Sequence, residues 1–295
     1  MFNKGAILVN PYYYGEDIAY LVKRLTAEFD LLAIKIDTIK CQALFTHIKD
    51  GDVVVEDFFY DFVIYLDKDK YLACLLETAG YRLFNKAQNI EVCDDKMKSY
   101  LALSNQGINM PLTIPGPLCY VTAEPDGELM ERVIATLGFP LVIKGAYGSM
   151  GKNIYLVKNR KELFSKAKEL IKKPHLYQKY IASSHGQDIR VIVINKKACA
   201  AMLRKSAKDF RSNLAIGGQA FKVDLSGEYI TLAEKVATIL DLDYCGVDIL
   251  IGENQEPIFC EVNSNAFITG IERVTGINVA AVYCHHIMKE IYGKD

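Results

Sequence analysis

The chain has 295 residues, and its 35 lysines and arginines nearly balance its 36 aspartates and glutamates, which leaves a formal net charge of −1. This balance argues against a nucleic-acid-binding protein, because such proteins carry clustered positive charge. No uninterrupted apolar run approaches the roughly 18 residues that a membrane span requires. The length is sufficient for two or three compact units with a sizeable core.

The eight cysteines are scattered without any Cys-x-x-Cys spacing, which favours buried thiols over a disulfide framework. The N-terminal segment lacks the long apolar stretch and the cleavage site of a signal peptide, and is interpreted as a first β-strand. The five histidines show no metal-ligand spacing, and His285-His286 falls in a helical pattern. We therefore expect a cytoplasmic protein that binds neither nucleic acid nor membranes.

Residues 1–93 alternate strand-like and helix-like segments. The predicted strands cover 6–9, 31–36, 52–55 and 62–66, the predicted helices cover 16–29 and 70–79, and the segment 81–84 closes the unit. This alternation predicts a small α/β domain with a mainly parallel sheet. No Gly-x-Gly-x-x-Gly motif follows the first strand, so a dinucleotide site is not expected there.

The next segment predicts two helices separated by a connector. Asp94 or Asp95 is a candidate N-cap for a helix that runs through Lys96 to Gly107. The proline-rich stretch 110–117 predicts a hinge or linker, and a helix over 128–137 is expected to end at Gly138.

A glycine-rich loop joins two predicted strands between Phe139 and Val157. The first strand ends in Lys144, and the loop that follows contains Gly145, Gly148 and Gly151. Glycines let backbone N–H groups turn toward an anion and allow close approach of phosphates. A merely flexible turn is the alternative, but the lysine on the preceding strand favours a phosphate site.

Between residues 161 and 240 the pattern predicts alternating helices and strands. We expect a lysine-rich helix over 161–172, a strand over 175–181, a hairpin of 191–194 with 198–204, and a helix over 228–240. Asp188 is either an ordinary turn acid or an acceptor for ribose hydroxyls. The basic run from Arg204 to Asn213 is either a solvated loop or a clamp that neutralises transferring phosphate.

A second hairpin concentrates oxygen ligands near the C-terminal end. If Ile251 lies opposite Ile258, then Asp248 lies opposite Glu261, and Asn263 lies on the face of Glu261. Apposed carboxylates are costly unless a cation lies between them, and hard oxygen ligands suit Mg²⁺ or Mn²⁺. Solvated acids on an outer face are the alternative, but Leu250 and Phe259, predicted for the same face, favour a metal site beside an apolar slot.

The order of these features resembles that of ATP-grasp ligases, and within them the RimK-like branch that adds glutamate or related amino acids to carboxyl termini. The resemblance covers about residues 81–282. It depends mainly on Asp209-Phe-Arg-Ser-Asn213 and Gly270-Ile-Glu-Arg-Val-Thr-Gly-Ile-Asn278. It implies an α/β and α+β fold, in which two α+β subdomains grip ATP behind a small parallel-sheet α/β domain. The expected divisions are 1–93, 94–182 with the glycine-rich loop, and 183–295 with the metal hairpin.

The resemblance also implies roles for individual residues. Lys96 and Lys144 would contact ATP phosphates under a loop containing Gly148, Ser149 and Gly151. The hinge Gln178-Lys179-Tyr180-Ile181 would present backbone groups to adenine, with Leu250 and Phe259 alongside. Asp188 would hold the ribose, and Asp248, Glu261 and Asn263 would carry one or two ions of Mg²⁺ or Mn²⁺. Arg211, with Ser212 and Asn213, would face the phosphates, and Lys144, Arg204 and Arg211 would be catalytic.

The chain departs from the family pattern at two places, in the hinge that would bind adenine and in the loop beside the acceptor site. Lys179 occupies a hinge position that usually holds an acid, and Ser264-Asn-Ala-Phe-Ile-Thr269 replaces a proline-containing loop beside the acceptor site. The resemblance therefore implies an ATP-dependent carboxylate–amine ligase that joins an amino acid, with glutamate expected, to a carboxylate such as a peptide or protein C-terminus. A ligase for another amino acid or small acid, and an ATP-binding regulatory module, remain as alternatives, and a homo-oligomer is left open.

Overall fold

The computed structural model describes residues 3–13, 15–121, 123–224 and 227–293. Within these ranges the chain forms fifteen strands in four sheets and nine α-helices. The strands are β1 Lys4–Val9, β2 Lys35–Lys40, β3 Thr46–Lys49, β4 Asp52–Val55, β5 Phe62–Leu66, β6 Leu83–Phe84, β7 Thr113–Pro115, β8 Leu141–Gly145, β9 Ile154–Val157, β10 His175–Lys179, β11 Gln187–Ile194, β12 Lys197–Lys205, β13 Gln219–Lys222, β14 Tyr244–Ile251 and β15 Pro257–Asn263. The helices are α1 Glu16–Leu31, α2 Lys70–Thr78, α3 Ala87–Asp94, α4 Lys96–Leu103, α5 Gly127–Leu137, α6 Arg160–Leu170, α7 Gly227–Ile239, α8 Thr269–Thr275 and α9 Val279–Tyr292.

The N-terminal region contains the predicted parallel sheet, in the order β2-β1-β5-β6. The strand predicted over 31–36 is wrong in position, because Leu31 still belongs to α1 and β2 begins only at Lys35. The segment 52–55 is a strand as predicted, but it pairs antiparallel with β3 in a separate hairpin. Helix α3 was not predicted.

The middle region is an antiparallel sheet in the order β7-β10-β8-β9, packed against α5 and α6. Asp95 is the N-cap of α4, since its carboxylate accepts hydrogen bonds from the amides of Met97 and Lys98. That helix ends at Leu103, one turn before the predicted Gly107. The proline-rich connector contributes the short strand β7, which the sequence pattern did not reveal.

The C-terminal region is built on a five-stranded antiparallel sheet in the order β13-β12-β11-β14-β15. Alternate residues such as Val191 and Val247 face α7 and α4 on one side, whereas Ile192 and Tyr244 contribute to a core with α9 on the other. This second core also includes Leu25 of α1, so α9 joins the N-terminal region to the five-stranded sheet. The polar residues of the candidate site occupy the remainder of that second face.

The three main sheets follow one another along the chain in the predicted order, while the exact boundaries at residues 93 and 182 remain a prediction. All eight cysteines are free thiols, as predicted, but only Cys41, Cys93, Cys245 and Cys284 are buried, so the expectation of buried thiols holds for half of them. In the part of the chain that the structure describes, no helix combines the length and the apolar character needed to cross a membrane.

Candidate active site

A narrow cleft of about 90 Å³ separates the middle sheet from the five-stranded sheet. Most of the predicted site residues line it: Lys144, Gln178, Lys179, Tyr180, Ile181, Asp188, Arg204, Arg211, Ser212, Asn213, Asp248, Leu250 and Glu261. Binding pockets for small molecules usually have volumes of roughly 300–1,000 Å³. The cleft as it stands is therefore too narrow for a whole nucleotide, and one of its walls has to move to admit one.

The hinge after β10 closes one end of this cleft. The buried Gln178 side chain donates to Thr113 Oγ1 at 2.8 Å, which ties the hinge to β7. The Lys179 amide donates to the Leu112 carbonyl at 2.9 Å, so this N–H already has an acceptor. The amides of Tyr180 and Ile181 donate to no acceptor within the described ranges, so the free donors lie one and two residues further on.

Lys144 is buried at the end of β8, where its Nζ lies 3.7 Å from Cys260 Sγ. Burial alone would lower the pKa of Lys144, but Cys260, Tyr100 and Glu261 raise it above its ordinary value. Burial also raises the pKa of Cys260 to about 11 and that of Tyr100 to about 12, which keeps both groups neutral. Glu261 is the carboxylate among the three groups that raise the pKa of Lys144.

The glycine-rich loop between β8 and β9 is folded down over the cleft. Lys96 Nζ donates to the Gly148 carbonyl at 2.7 Å, and Arg211 Nη1 donates to the Gly151 carbonyl at 2.5 Å. Arg211 is itself held by Asp209 through two hydrogen bonds of 2.9 and 2.7 Å. Two of the three cations predicted to lie at the phosphates, Lys96 and Arg211, therefore bind the loop in this structure.

Position 151 has to be a glycine for two reasons. Its φ of +74° lies in the left-handed region, and a Cβ atom would lie 3.0 Å from Asn213 Oδ1. The loop can approach the Arg211–Asn213 segment this closely only because the residue is glycine.

The register of the metal hairpin is confirmed at its centre, where Asp248 lies opposite Glu261. The reason differs from the prediction. Ile251 faces Pro257, one residue out from the expected Ile258, and a β-bulge at Cys260 restores the pairing. The bulge also turns Phe259 to the opposite face, so its place in the predicted apolar slot is wrong. Phe259 is fully buried in the core beside Tyr100, while Leu250 and Cys260 line the cleft.

Four charged side chains form a buried network on this face of the sheet. Arg190, which was not predicted, lies opposite Asp248 and donates to both of its oxygens at 2.7 Å. Arg204 lies opposite Asp188, binds both oxygens of that carboxylate, and lies 2.9 Å from Asp248 Oδ2. Asp188 was predicted to hold ribose, and in this structure its carboxylate is bound to Arg204 instead. The two arginines outweigh the effect of burial and lower the pKa of Asp248.

Alternation along the strands explains why these groups meet. Asp188 and Arg190 lie two residues apart on β11, and each pairs with its cross-strand neighbour on the same face. The spacing Asp188-Ile-Arg190 was the available sequence signal for Arg190. It became informative only once β14 was known to be the neighbouring strand.

A second cavity of about 340 Å³ lies between the N-terminal sheet and the far side of this network. Asn263 and Ser149 line this cavity, whereas the prediction grouped them with the cleft residues. Tyr13 and Phe267 lie at its edge with parallel rings 6.2 Å apart. Arg204 and Asn213 line both the cleft and the second cavity, so the two spaces meet at these residues.

The residues present fit a hard divalent cation. Among the described residues the Glu261 side chain takes part in no hydrogen bond or ion pair, although it faces Asp248 and has Asn263 on its own strand. This set consists of oxygen donors, as Mg²⁺ and Mn²⁺ prefer. The described residues contain no cluster of three His, Cys, Asp or Glu side chains, so the third donor would come from Asn263 or a ligand.

A cleft between two α+β units, covered by a glycine-rich hairpin and with paired carboxylates at its base, is typical of proteins that grip a nucleoside triphosphate. The model of the RimK-like ATP-grasp domain matches residues 93–287, and the chain belongs to this family.

Proteins of known name support this assignment. Human N-acetylaspartylglutamate synthase A is 32% identical over 225 residues, which cover 75% of this chain and 56% of that protein. A probable alpha-L-glutamate ligase of Halorhodospira halophila is 35% identical over 214 residues, which cover 72% of this chain and 68% of that protein. The chain thus spans little more than half the length of the human relative.

The fold also matches a solved structure. The ATP-grasp ligase PsnB, complexed with a minimal precursor, Mg and ADP, has a TM-score of 0.71 to this chain. The match covers 99% of this chain and 98% of that one at 16% sequence identity, a level that shows the fold alone.

Proposed function

We propose that the protein is an ATP- and Mg²⁺-dependent carboxylate–amine ligase that forms an amide bond through an acyl phosphate. The amino acid that it adds is proposed to be glutamate, and the acceptor a small carboxylic acid or the C-terminus of a peptide or protein. The observation that carries this proposal is the buried network of Arg190, Asp248, Arg204 and Asp188 between the cleft and the second cavity.

This arrangement supports phosphoryl transfer from one space to the other. The hinge would hold adenine at one end of the cleft, and the triphosphate would extend beneath the glycine-rich loop toward Lys144 and Arg211. The γ-phosphate would then lie near Arg204 and Asn213, where a carboxylate in the second cavity can reach it. Asp248, Glu261 and Asn263 would hold Mg²⁺, which neutralises charge on the phosphate oxygens when bound.

The proposed reaction has two steps. An acceptor carboxylate oxygen attacks the γ-phosphorus, the bond to the bridging oxygen breaks, and ADP leaves. The amine then attacks the carbonyl carbon of the acyl phosphate, loses a proton, and expels inorganic phosphate. Arg204 and Arg211 would stabilise the transferring phosphoryl group, an effect worth about 2.7–4 kcal/mol for one such stabilising group. The closed loop would shield the mixed anhydride from water.

Glutamate is proposed because the curated relatives include a probable alpha-L-glutamate ligase, N-acetylaspartylglutamate synthase and beta-citrylglutamate synthase. Their names share glutamate and differ in the acid, so they support glutamate as the added amino acid more strongly than any particular acceptor.

ADP release from purified protein, Mg²⁺ and ATP, measured against a panel of amino acids and carboxylates, tests this proposal. Adding hydroxylamine in place of the amine should give a hydroxamate and one equivalent of ADP. Formation of AMP and pyrophosphate would contradict the acyl phosphate route. ATP binding without any acceptor-dependent product would favour a regulatory module instead.

A further inference from the structure

The arginines of the buried network differ in their number of partners. Arg204 has two carboxylates, Asp188 and Asp248, whereas Arg190 forms its ion pair with Asp248 alone within the described part of the chain. The Arg190 guanidinium binds both oxygens of Asp248 at 2.7 Å, and its side chain is only 14% exposed. Arg190 therefore depends on a residue that is also a candidate metal ligand.

A cation and two arginines would compete for the oxygens of Asp248. Mg²⁺ bound between Asp248 and Glu261 would draw charge from the Asp248 carboxylate, three of whose four lone pairs already accept from the two arginines. Arg204 would keep Asp188 as a second partner, but Arg190 would remain nearly buried beside a carboxylate whose charge the ion neutralises. Such a charge is costly unless another anion replaces the lost partner.

The space next to Arg190 is the second cavity of about 340 Å³. Ala266 packs directly on Gly246, where a Cβ atom would lie 2.5 Å from the Ala266 Cβ, so no side chain from position 246 occupies the space beside Arg190. A guanidinium that loses a carboxylate is best satisfied by another planar anion with two oxygens, bound in the same forked geometry. The cavity offers room for such a group on the side away from the hinge.

We propose that Arg190 binds the carboxylate of the acceptor substrate. In the metal-free protein Asp248 occupies the Arg190 guanidinium, and metal binding to Asp248 makes Arg190 available. This inference rests on the proposed ligase function and extends it to one named residue. It makes metal binding and acceptor binding mutually supportive, because each removes the competitor of the other. Acceptor would then bind productively only after Mg²⁺ and ATP are in place.

The first part of the proposal is that Arg190 competes with the metal ion for Asp248. Titrating the protein with Mn²⁺ in the absence of ATP and acceptor, and monitoring the EPR signal of the free ion, tests this without any turnover. Arg190→Gln frees one side of Asp248, so it should bind Mn²⁺ about fivefold tighter than the unaltered protein, the lower end of usual couplings between sites. Arg190→Lys keeps the charge but loses the fork, so its affinity should lie between the two. Arg132→Gln, on the exposed face of α5, should leave Mn²⁺ affinity unchanged. Unchanged or weaker binding by Arg190→Gln would overturn the proposal.

The second part of the proposal is that Arg190 binds the acceptor carboxylate. Steady-state kinetics test it, with the carboxylate that supports ADP release in the panel as the substrate. Arg190→Gln should raise the KM for that carboxylate about tenfold or more, as expected for the loss of a charge-assisted pair, and leave the KM for ATP within about twofold. A raised KM for ATP with an unchanged KM for the carboxylate would show that Arg190 serves phosphate, and would refute the assignment. If no carboxylate supports ADP release, the ligase function itself fails and the carboxylate role fails with it, while the Mn²⁺ result still shows whether Arg190 restrains Asp248.

Discussion

Lys96 Nζ donates a hydrogen bond of 2.7 Å to the carbonyl oxygen of Gly148, which joins the start of α4 to the tip of the glycine-rich loop. The two residues are 52 positions apart in sequence, and the lysine is only 4% exposed. This contact, with that from Arg211 to Gly151, holds the loop over a cleft that is too narrow for ATP. The loop therefore has to release both cations before nucleotide can enter.

The first prediction concerns this loop. Amide hydrogen exchange over residues 145–152 should slow when Mg-ATP is added, because the loop amides would then donate to phosphate oxygens and open less often. Lys96→Met should speed exchange in the nucleotide-free protein by about tenfold, which corresponds to the loss of one charge-assisted bond of ~1.5 kcal/mol. Lys98→Met is the matched control, since Lys98 lies on the same helix and, within the described ranges, forms its ion pair with Glu91 rather than a hydrogen bond to the loop. Equal exchange with and without nucleotide would argue against a phosphate-covering loop.

Glu261→Gln should reduce ADP formation by roughly 10²–10³-fold, the usual size for loss of one charge-stabilising group, while the thermal midpoint stays close to that of the unaltered protein. The change removes a negative charge without altering the side-chain volume, and Glu261 has no hydrogen bond or ion pair among the described residues to lose. Glu253→Gln, in the exposed turn of the same hairpin, should behave like the unaltered protein in both measurements. Near-normal activity of Glu261→Gln would remove Glu261 from the site.

Asp243→Asn should lower the free energy of unfolding by about 2 kcal/mol at pH 7, the usual size for a hydrogen-bonded charge pair. The Asp243 carboxylate accepts two hydrogen bonds from Arg82, at 2.8 and 3.0 Å, and one from His286. Burial raises its pKa, but His286 and Arg82 outweigh burial and lower it below the ordinary value of 3.8. A lowered folded-state pKa means that the stabilisation is present above pH 3.8 and is lost as the pH falls further.

Urea unfolding at pH 7 and at about pH 3.5 checks this direction. The difference in the free energy of unfolding between the unaltered protein and Asp243→Asn should be smaller at the lower pH. Asp241→Asn is the control. Lys196 and Lys86 lower the pKa of Asp241 to about 2, but its side chain is 48% exposed, so solvent screening should limit the change in stability to about 1 kcal/mol or less. A difference for Asp243→Asn that grows on acidification would contradict the prediction.

Asn85→Ala should destabilise the protein by roughly 3 kcal/mol or more, because it leaves several buried backbone groups without partners. The Asn85 side chain donates to the carbonyls of Tyr244 and Ser264 at 2.8 and 3.0 Å, and accepts from the amides of Asp243 and Tyr244 at 2.7 and 3.1 Å.

Asn89→Ala is the matched control, since among the described residues the Asn89 side chain makes a single hydrogen bond, to the Asp241 carbonyl at 2.8 Å, and Asn89 is only partly buried. Denaturant midpoints of both variants measure the difference. If Asn85→Ala lowered the stability no more than Asn89→Ala does, the hydrogen bonds of Asn85 would not be what holds the N-terminal region against the five-stranded sheet.

Local rules in the sequence determined much of this molecule. Asp95 caps α4 because an aspartate next to a helix start can accept from its first free amides, and α5 ends at Gly138, whose φ is +69°. Alternation along the hairpin of β14 and β15 predicted that Asp248 lies opposite Glu261, although a bulge that the pattern did not reveal completes this pairing. Such features depend on residues within a few positions of one another or on a single hairpin, so a sequence pattern can reveal them.

Only the tertiary structure decided which strands and regions are neighbours, and with that the contents of the site. The bulge at Cys260 turned Phe259 into the core, since its insertion depends on packing against Tyr100 rather than on hairpin propensity. Arg190 binds Asp248 because β11 lies beside β14, a pairing 58 residues apart that no local pattern encodes. The second cavity likewise exists because α9 packs against α1 and brings the N-terminal sheet over the network. Long-range packing creates such contacts. The sequence therefore identified the charged residues, but only the tertiary structure determined which of them are in contact.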